Sequence, residues 1–555
     1  MKMKYFCYFL ICSLTVFANP QSSTSQKLNK SISDEAIKRP KLVVGIVVDQ
    51  MRWDFLYRYS NRYTPNGFKR LIGEGFTCEN AMIPYTPTVT AAGHTSIYTG
   101  SVPALNGIVG NDWWDNNLKS KMYCSQDNSV STVGSNSVLN GKQSPHNMLV
   151  TTIGDELRLA TNFHSKVIGI ALKDRGSILP AGHSASAAYW YDTQNGNWIT
   201  STYYSSNLPK WVTDFNEKKI VDGYYENGWN TLYPIESYSQ STSDEKEYES
   251  KPFGTSQTKF PYTLKQFQGK NYQSIATTPF GNTMTLEMAK AALENEKLGL
   301  GQETDMLCVS LSSTDYVGHS FGPNSIEAED TYLRLDKDIA SFLSYLDTKI
   351  GKGQYTLFLS ADHGVAHIPG FMKENKLPGG LFKESELSKS LNLKLKEKFG
   401  LDNLITSIMN YQIHLNHSLI DSANADEKAI NLFIEKTTQL NDAIARVFTL
   451  KDLATIPLNA QIKERVTNGY FPNRSGDIQL VLKSGYIDFG KTGTSHGVWS
   501  PYDSHIPSLF FGWGIKQGHT NRETYMTDIA PTITALLHVQ MPSGCVGKVI
   551  EEALK

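Results

Sequence analysis

With 555 residues, the chain is long enough for three or four domains of roughly 150 residues, or for one large core with insertions. Its composition, 40% hydrophobic and 19% charged, excludes a polytopic membrane protein and a mainly disordered chain. A formal net charge of -1 gives no overall positive field to attract nucleic acid, so any phosphate site has to be local.

The first segment of the chain has the features of a secretory signal peptide. Lys2 and Lys4 precede an apolar run, and the small-residue sequence that ends at Ala18 is typical of a cleavage site. The run is shorter than the about 20 residues that a membrane span needs. We therefore predict a signal peptide over residues 1–18, a flexible leader over residues 19–40, and an exported protein, periplasmic or secreted, without stable membrane insertion.

Four cysteines remain after the predicted cleavage. In an exported protein they are able to form disulfides, and the sequence does not rank the three possible pairings. Because no CxxC pair is present, a cysteine metal site is not expected. The four are Cys78, Cys124, Cys545 and Cys308, the last of which lies in an apolar run and is predicted to be a buried thiol.

Five apolar runs are predicted to be strands of one sheet. Continuous β-branched runs are typical of strands that are buried on both faces of a parallel sheet. Helical patterns lie between them, and this alternation predicts an α/β fold with a mostly parallel central sheet flanked by helices. The runs lie at residues 42–48, 166–172, 306–311, 356–360 and 506–511.

Two helices of the predicted core carry start signals. The first follows a capping box formed by Asn324 and Glu327, and its apolar residues recur at helical spacing toward Ile350. The second begins at Thr527 or Asp528 and runs to residue 537.

Two stretches interrupt the alternation of strands and helices. Residues 185–275 are crowded with Tyr, Asn, Ser and Trp and lack repeated strand runs. Residues 372–490 hold amphipathic helical patterns near residues 384–399 and 427–440. We interpret both stretches as caps inserted into one discontinuous core, whose three parts are residues 41–184, 276–371 and 491–555.

Carboxylate and imidazole side chains follow several of the predicted strands, where functional groups gather in open α/β sheets. Oxygen and nitrogen ligands without thiolate suit two zinc ions at a partly open site. Each position alone is also explained by a turn or a helix cap, but convergence at four places favours a metal site. The candidate ligands are Asp49, Asp315, His319, Asp362, His363 and His496.

A hydroxyl nucleophile is available where residues 85–94 pass from a turn into a predicted helix. Exposed N–H groups and the helix dipole at such a start favour an oxyanion or a phosphate. The pattern does not separate Thr88 from Thr90, and an ordinary helix cap explains it equally well. His94 lies one turn inside the helix, and we interpret it as a packed histidine rather than a general base.

Three further side chains are candidates for binding an anion. If extended backbone continues after the strand at residues 166–172, its period of two directs Lys173 and Arg175 the same way, toward two phosphoryl oxygens. Asn111 offers an amide donor from a turn. Solvated surface and an ordinary turn are the alternatives at these positions.

Taken together, these segments resemble the alkaline phosphatase superfamily and are similar to PafA-type bacterial periplasmic alkaline phosphatases. The resemblance spans about residues 40–548. Its motifs are long and occur in the same order, which makes the resemblance specific. They lie at residues 47–54, 87–96, 110–113, 172–175, 313–319 and 360–364.

The resemblance implies a single alkaline-phosphatase-like core, and it implies Thr90 rather than Thr88 as the nucleophile. It also implies two zinc ions: one is held by Asp315, His319 and His496, and the other by Asp49, Asp362, His363 and the Thr90 hydroxyl. The residues implied to contact the transferred phosphoryl group are Asn111, Lys173 and Arg175.

We therefore predict a di-zinc alkaline phosphatase that acts as a monomer on small phosphate monoesters through a phosphothreonine intermediate, with no nucleic acid as a dedicated partner. A phosphodiesterase of the same superfamily is the alternative, although a diester gains less from the Lys173 and Arg175 cations. A sulfatase is excluded because residues 86–90 lack a convertible Cys or Ser. A non-catalytic glycan- or nucleotide-binding protein is a weaker alternative, suggested by the Tyr- and Trp-rich insertion.

Overall fold

A central sheet of eleven strands organises residues 38–555, the part of the chain that the computed structural model describes. The predicted signal peptide and most of the predicted leader lie outside these residues. The strands of the central sheet and of the smaller sheets, in chain order, are β1 Leu42–Val48, β2 Phe76–Met82, β3 Asp112–Asp115, β4 Ser120–Tyr123, β5 Thr132–Val133, β6 Val167–Ala171, β7 Ala187–Asp192, β8 Asn197–Ser201, β9 Asp305–Leu311, β10 Tyr355–Ser360, β11 Gly380–Phe382, β12 Ile405–Met409, β13 Gln412–Leu415, β14 Ile444–Thr449, β15 Ile478–Leu482, β16 Tyr486–Asp488, β17 His505–Ile506, β18 Ser508–Gly512 and β19 Gly518–Tyr525.

Helices occupy most of the segments between the strands. No helix within residues 38–555 is long and apolar enough to cross a membrane. The α-helices are α1 Phe55–Arg58, α2 Phe68–Glu74, α3 Thr90–Thr99, α4 Pro103–Asn106, α5 Ile153–Ala160, α6 Asp174–Ala181, α7 Lys210–Glu217, α8 Ile220–Asn227, α9 Phe280–Asn295, α10 Ser313–Phe321, α11 Ile326–Leu346, α12 Pro369–Glu374, α13 Glu384–Phe399, α14 His417–Ser422, α15 Glu427–Thr438, α16 Ala460–Gly469, α17 Pro501–Ser504 and α18 Ile529–Leu537.

The middle of the central sheet is parallel. Its strands lie in the order β10–β1–β9–β6–β7, and each neighbouring pair runs in the same direction. Antiparallel strands flank this block, with β18 beside β10 and β8 beside β7. All seven residues of β1 are buried, as expected for a strand covered on both faces. The predicted α/β fold with a mostly parallel central sheet is therefore confirmed.

The predicted strands and helices match the structure except at three places. The last predicted strand divides at Pro507 into β17 and β18, because proline has no N–H to donate to a neighbouring strand. The capping box expected from Asn324 and Glu327 is wrong: Ser325 caps α11, and its hydroxyl accepts the N–H of Ala328.

The third difference lies at the start of the first predicted insertion. Residues 187–201 are not part of a cap, because they form β7 and β8 of the central sheet. Strand β7 contains the aromatic residues Tyr189, Trp190 and Tyr191, and β8 contains Trp198; all four are buried. A search for aliphatic runs misses such strands, although aromatic residues also favour β-structure.

A smaller antiparallel sheet lies within residues 405–482, in the order β12–β13–β15–β14. Helices α13 and α15 contribute buried leucine and isoleucine side chains to its hydrophobic cluster. This sheet has its own core, separate from the cluster of the central sheet.

Candidate active site

The carboxyl ends of three adjacent parallel strands bring the predicted carboxylates together. Asp49 follows β1, Asp362 follows β10, and Asp315 lies in the first turn of α10, just after β9. Because β9 and β10 are the two neighbours of β1, their carboxyl ends meet at one edge of the sheet. All three side chains are buried.

Two groups of potential metal ligands lie at this edge, and in each the ligand atoms are all within 4.8 Å of one another. One group is Asp49, Asp362 and His363, and the other is Asp315, His363 and His496. The rings of His363 and His496 stack with their centroids 3.5 Å apart. His363 therefore belongs to both groups, and its ring also contacts that of His496.

His319 is the predicted ligand that falls outside both groups. It lies one turn after Asp315 on α10, and its Nε2 atom is 3.1 Å from Asp315 Oδ1. His496 Nε2 approaches the same oxygen at 3.7 Å. The structure thus brings all six predicted ligands into one site, with Asp315 in contact with both histidines that the resemblance assigns to its metal.

The three imidazoles share one orientation. Each has its Nδ1 atom within hydrogen-bond distance of a backbone carbonyl, which leaves Nε2 directed into the site. Burial holds the pKa values of His363 and His496 below the usual value, so that both rings are neutral at neutral pH. The Nδ1 contacts are His319 to Thr494 O at 2.7 Å, His363 to Gly364 O at 2.9 Å and His496 to Thr88 O at 2.7 Å.

Two carboxylate oxygens of the site are buried without a hydrogen-bond donor among the described residues, and a bound cation would satisfy them. Asp49 Oδ1 and Asp362 Oδ2 are buried, and within residues 38–555 neither accepts a hydrogen bond. A buried carboxylate oxygen without a partner is costly. Carboxylate oxygens together with neutral imidazole nitrogens are a donor set that zinc prefers. The residues present therefore fit a zinc centre.

Lys173 lies inside the carboxylate cluster. Its Nζ atom is 2.7 Å from Asp49 Oδ2 and 2.6 Å from Asp315 Oδ2. Burial alone would lower the pKa of the ammonium group, but these two carboxylates outweigh it and hold the pKa above the usual value. Lys173 is therefore a fixed positive charge between the two ligand groups.

Arg175 does not lie on extended backbone beside Lys173, as the sequence predicted. Helix α6 begins at Asp174, so the extended backbone on which the prediction depended ends at Lys173, and that part of the prediction is wrong. The Arg175 guanidinium instead donates from Nη1 to Tyr123 Oη at 3.0 Å. Tyr123 in turn donates to Asp174 Oδ1 at 2.5 Å.

The two candidate threonines differ in their surroundings. Thr88 Oγ1 donates to Val498 O at 3.0 Å, so this hydroxyl serves the backbone. Thr90 is the first residue of α3, and its Oγ1 atom lies 3.5 Å from His363 Nε2. Asn111 joins Thr90 at the helix start, since its Oδ1 atom accepts the Ala91 N–H at 2.9 Å. Only Thr90 therefore directs its hydroxyl toward the ligand groups.

His94 lies beneath the site as a fully buried side chain. Its Nδ1 atom is 2.9 Å from Thr90 O and 3.3 Å from Asp362 Oδ2, and its Nε2 atom is 2.8 Å from Ser310 Oγ. These contacts confirm the interpretation of His94 as a packed histidine.

Comparisons with known proteins place the chain in a family. The family described as type I phosphodiesterase / nucleotide pyrophosphatase matches residues 43–503. Alkaline phosphatase PhoV from Synechococcus elongatus is 51% identical over 564 residues, which cover 100% of both chains. A Myroides odoratus protein named calcium-transporting ATPase is 54% identical over 529 residues, which cover 94% of this chain and 96% of that protein.

A crystal structure decides the assignment. Wild-type alkaline phosphatase PafA is 51% identical, covers 94% of this chain and 100% of its own, and superposes with a TM-score of 0.92. The chain belongs to the alkaline phosphatases of the PafA and PhoV type. The resemblance of its sequence motifs to the alkaline phosphatase superfamily is thereby confirmed.

In this alkaline phosphatase, one buried residue that the sequence analysis missed contacts the carboxylates of both ligand groups. Gln50 donates from Nε2 to Asp315 Oδ1 at 2.6 Å and from its backbone N–H to Asp362 Oδ1 at 3.0 Å. A Cβ atom on Gly318 would lie 1.9 Å from Gln50 Oε1. Only glycine therefore leaves room for the glutamine beside α10.

The four cysteines within residues 38–555 are free thiols. Cys308 is buried, as predicted, and so are Cys78 and Cys124. Burial raises the pKa of the Cys78 thiol to about 12. The buried thiols are therefore inert neutral groups rather than reactive thiolates.

Proposed function

We propose that the chain is an exported di-zinc phosphatase that hydrolyses small phosphate monoesters through a covalent intermediate on Thr90. As an alkaline phosphatase it is a phosphoric monoester hydrolase; the metal count, the nucleophile and export are our proposal. The observation that carries it is the convergence of two buried carboxylate–imidazole groups beside a hydroxyl at a helix start. Export is supported by Lys2, Lys4 and the apolar run that follows them.

The ligand atoms support two zinc sites. Bound zinc would lower the pKa of a nearby hydroxyl and neutralise charge on a leaving oxygen. We assign one ion to Asp315, His319 and His496, and the other to Asp49, Asp362 and His363 with Thr90 Oγ.

Thr90 is proposed to take the phosphoryl group. Its Oγ–P bond forms while the bond from phosphorus to the leaving alcohol breaks, and water then hydrolyses the phosphothreonine and regenerates the hydroxyl. The start of α3 directs backbone N–H groups and a positive dipole end toward the charge that develops there. Asn111 is oriented by the Ala91 N–H at its Oδ1 atom, which leaves its amide NH2 as a donor to a phosphoryl oxygen.

Two cations suit a monoester, whose phosphoryl group carries one more negative charge than that of a diester. Lys173 stays protonated between Asp49 and Asp315. Arg175 is half-buried and held by Tyr123. Since phosphoryl transfer relies on positioning and electrostatics, these charges favour a monoesterase over the related diesterase.

Zinc titration of the metal-free protein tests the proposal. Activity toward p-nitrophenyl phosphate is expected to be lost on chelation and to return fully after two equivalents of zinc are bound. Full activity after one equivalent, or in the metal-free protein, would refute the two-metal assignment.

The Arg175→Ala variant tests the monoester assignment, because Arg175 contacts none of the six metal ligand candidates. Hydrolysis of p-nitrophenyl phosphate is expected to fall much more than hydrolysis of bis-p-nitrophenyl phosphate. Arg474→Ala is the matched control, since Arg474 is also half-buried and, among the described residues, its side chain hydrogen-bonds only the backbone carbonyls of Gly107 and Asn147. Equal losses on both esters would favour the diesterase.

A further inference from the structure

Asp503 is a fully buried carboxylate that is not among the candidate ligands, yet it hydrogen-bonds the two loops that carry His363 and His496. Its Oδ2 atom accepts the N–H groups of Gly497 and Val498, each at 2.9 Å. Its backbone carbonyl accepts the N–H of Gly364 at 2.7 Å. Each loop is therefore held at the residue that directly follows a candidate ligand.

The contacts continue from Asp503 to the segment that precedes the nucleophile. Val498 O, beside the Asp503 contact, accepts the hydroxyl of Thr88 at 3.0 Å. Thr88 O in turn faces His496 Nδ1 at 2.7 Å. The loop at residues 496–498 is thus fastened on one side by a carboxylate and on the other by Thr88, two residues before Thr90.

A carboxylate is the group that this turn requires. Two successive backbone N–H groups that converge on one oxygen form a site for an anion, and hydrogen bonds to a charged acceptor are about twice as strong as neutral ones. Burial raises the pKa of Asp503 to about 8, so its side chain is a charged acceptor above about pH 8. Gly497 has a φ of 115°, which only glycine adopts without strain. The bend places both N–H groups on the same side, facing Asp503.

We propose that Asp503 is a positioning residue that holds the His363 and His496 loops ready to bind metal before any metal arrives. The inference rests on the proposed zinc centre, but it concerns the protein in its metal-free form. Its role is exerted through the loops, since its side chain contacts backbone groups and none of the candidate ligands.

The test uses Asp503→Asn and is run above pH 8, where the wild-type side chain is charged. This change keeps the size of the side chain and removes its charge. In the metal-free full-length protein, amide hydrogen exchange at Gly497 and Val498 is expected to become faster. Zinc affinity, measured by competition with a chromogenic chelator, is expected to fall about 10- to 100-fold, the range found for residues that orient metal ligands. Neither readout depends on catalysis.

Asp336→Asn is the matched control. Asp336 is equally buried and accepts two backbone N–H groups, from Thr64 at 2.6 Å and Phe68 at 2.8 Å, but it lies outside the site. We expect this variant to lose stability and to keep wild-type zinc affinity.

The inference is overturned if Asp503→Asn has wild-type exchange and zinc affinity, or if Asp336→Asn loses as much affinity. Should Asp503→Asn fail to fold, Gly497→Ala decides instead, because it strains the same turn and leaves the carboxylate in place. Its zinc affinity has to fall if the loop geometry matters. A wild-type protein that binds no zinc refutes the proposed metal centre, whereas two tightly bound zinc ions together with an unaffected Asp503→Asn refute only this inference.

Discussion

Replacing Tyr123 with phenylalanine removes the one hydroxyl that connects Arg175 to Asp174. Tyr123 Oη accepts from Arg175 Nη1 at 3.0 Å and donates to Asp174 Oδ1 at 2.5 Å. The aromatic ring stays in place, so the packing around β4 changes little. Arg175 Nε is already buried without a hydrogen bond among the described residues. The hydroxyl is therefore a main constraint on the direction of the guanidinium.

The size of the effect follows from the charge on Arg175. A hydrogen bond to a charged group contributes about 1.5–3 kcal/mol, and each 1.4 kcal/mol corresponds to about a tenfold change. If Arg175 contacts the transferred phosphoryl group, kcat/KM for a monoester is expected to fall roughly 10- to 100-fold. A diester, which presents one fewer charged oxygen, is expected to lose much less.

The assay compares kcat/KM for p-nitrophenyl phosphate and bis-p-nitrophenyl phosphate in a double-mutant cycle with Arg175→Ala. Since Tyr123 acts through Arg175, the two losses are expected not to add. Tyr355→Phe is the control, because Tyr355 also donates to a carboxylate, Asp347 Oδ1 at 2.9 Å, away from the site. Additive losses, or equal losses on both esters, would refute the reasoning.

Two further predictions concern single side chains. Thr88→Val removes the hydroxyl that donates to Val498 O, so we expect the free energy of unfolding to fall by about 1 kcal/mol while the enzyme still forms its covalent intermediate. Thr90→Val is expected to abolish turnover. Denaturant unfolding and a single-turnover assay check both variants, and an inactive Thr88→Val with an active Thr90→Val would reverse the assignment. Burial raises the pKa of Glu327 from 4.5 to about 8, so this carboxyl stays protonated in the folded protein up to about pH 8. The stability that this protonation contributes is present in full below pH 4.5 and is lost as the pH rises to about 8. Glu327→Gln is expected to flatten the dependence of unfolding free energy on pH across that window, and an unchanged pH profile would contradict this.

Much of the fold follows from local sequence. The strand Leu42–Val48 is a continuous apolar run because both of its faces are covered, and such runs are visible without a structure. Strands β7 and β8 have no continuous aliphatic run, because β7 is rich in Tyr and Trp and β8 has one Trp and one Ile among polar residues. Pro507 divides one predicted strand. This proline is visible in the sequence, but a search for apolar runs alone passes over it.

Five of the six candidate ligands could be predicted because they follow strands, and parallel strands deliver their carboxyl ends to one edge. The sixth, His496, lies in a loop between glycines. The residues that support these ligands could not be predicted. Gln50 meets Asp315 across 265 positions of the chain, and Asp503 reaches Gly364 through its backbone carbonyl, a group that every residue has. The predicted direction of Arg175 was wrong for a local reason. Alternate side chains lie on the same side only in extended backbone, and the backbone becomes helical at Asp174.

The most direct test of the account is to trap the phosphoryl group. The enzyme is mixed with a phosphate monoester, quenched in acid within one turnover and analysed by peptide mass spectrometry. We expect phosphate on Thr90 in the wild type and in Thr88→Val, and none on this peptide in Thr90→Val. Phosphate on any other residue, or full turnover by Thr90→Val, would contradict the proposed covalent intermediate.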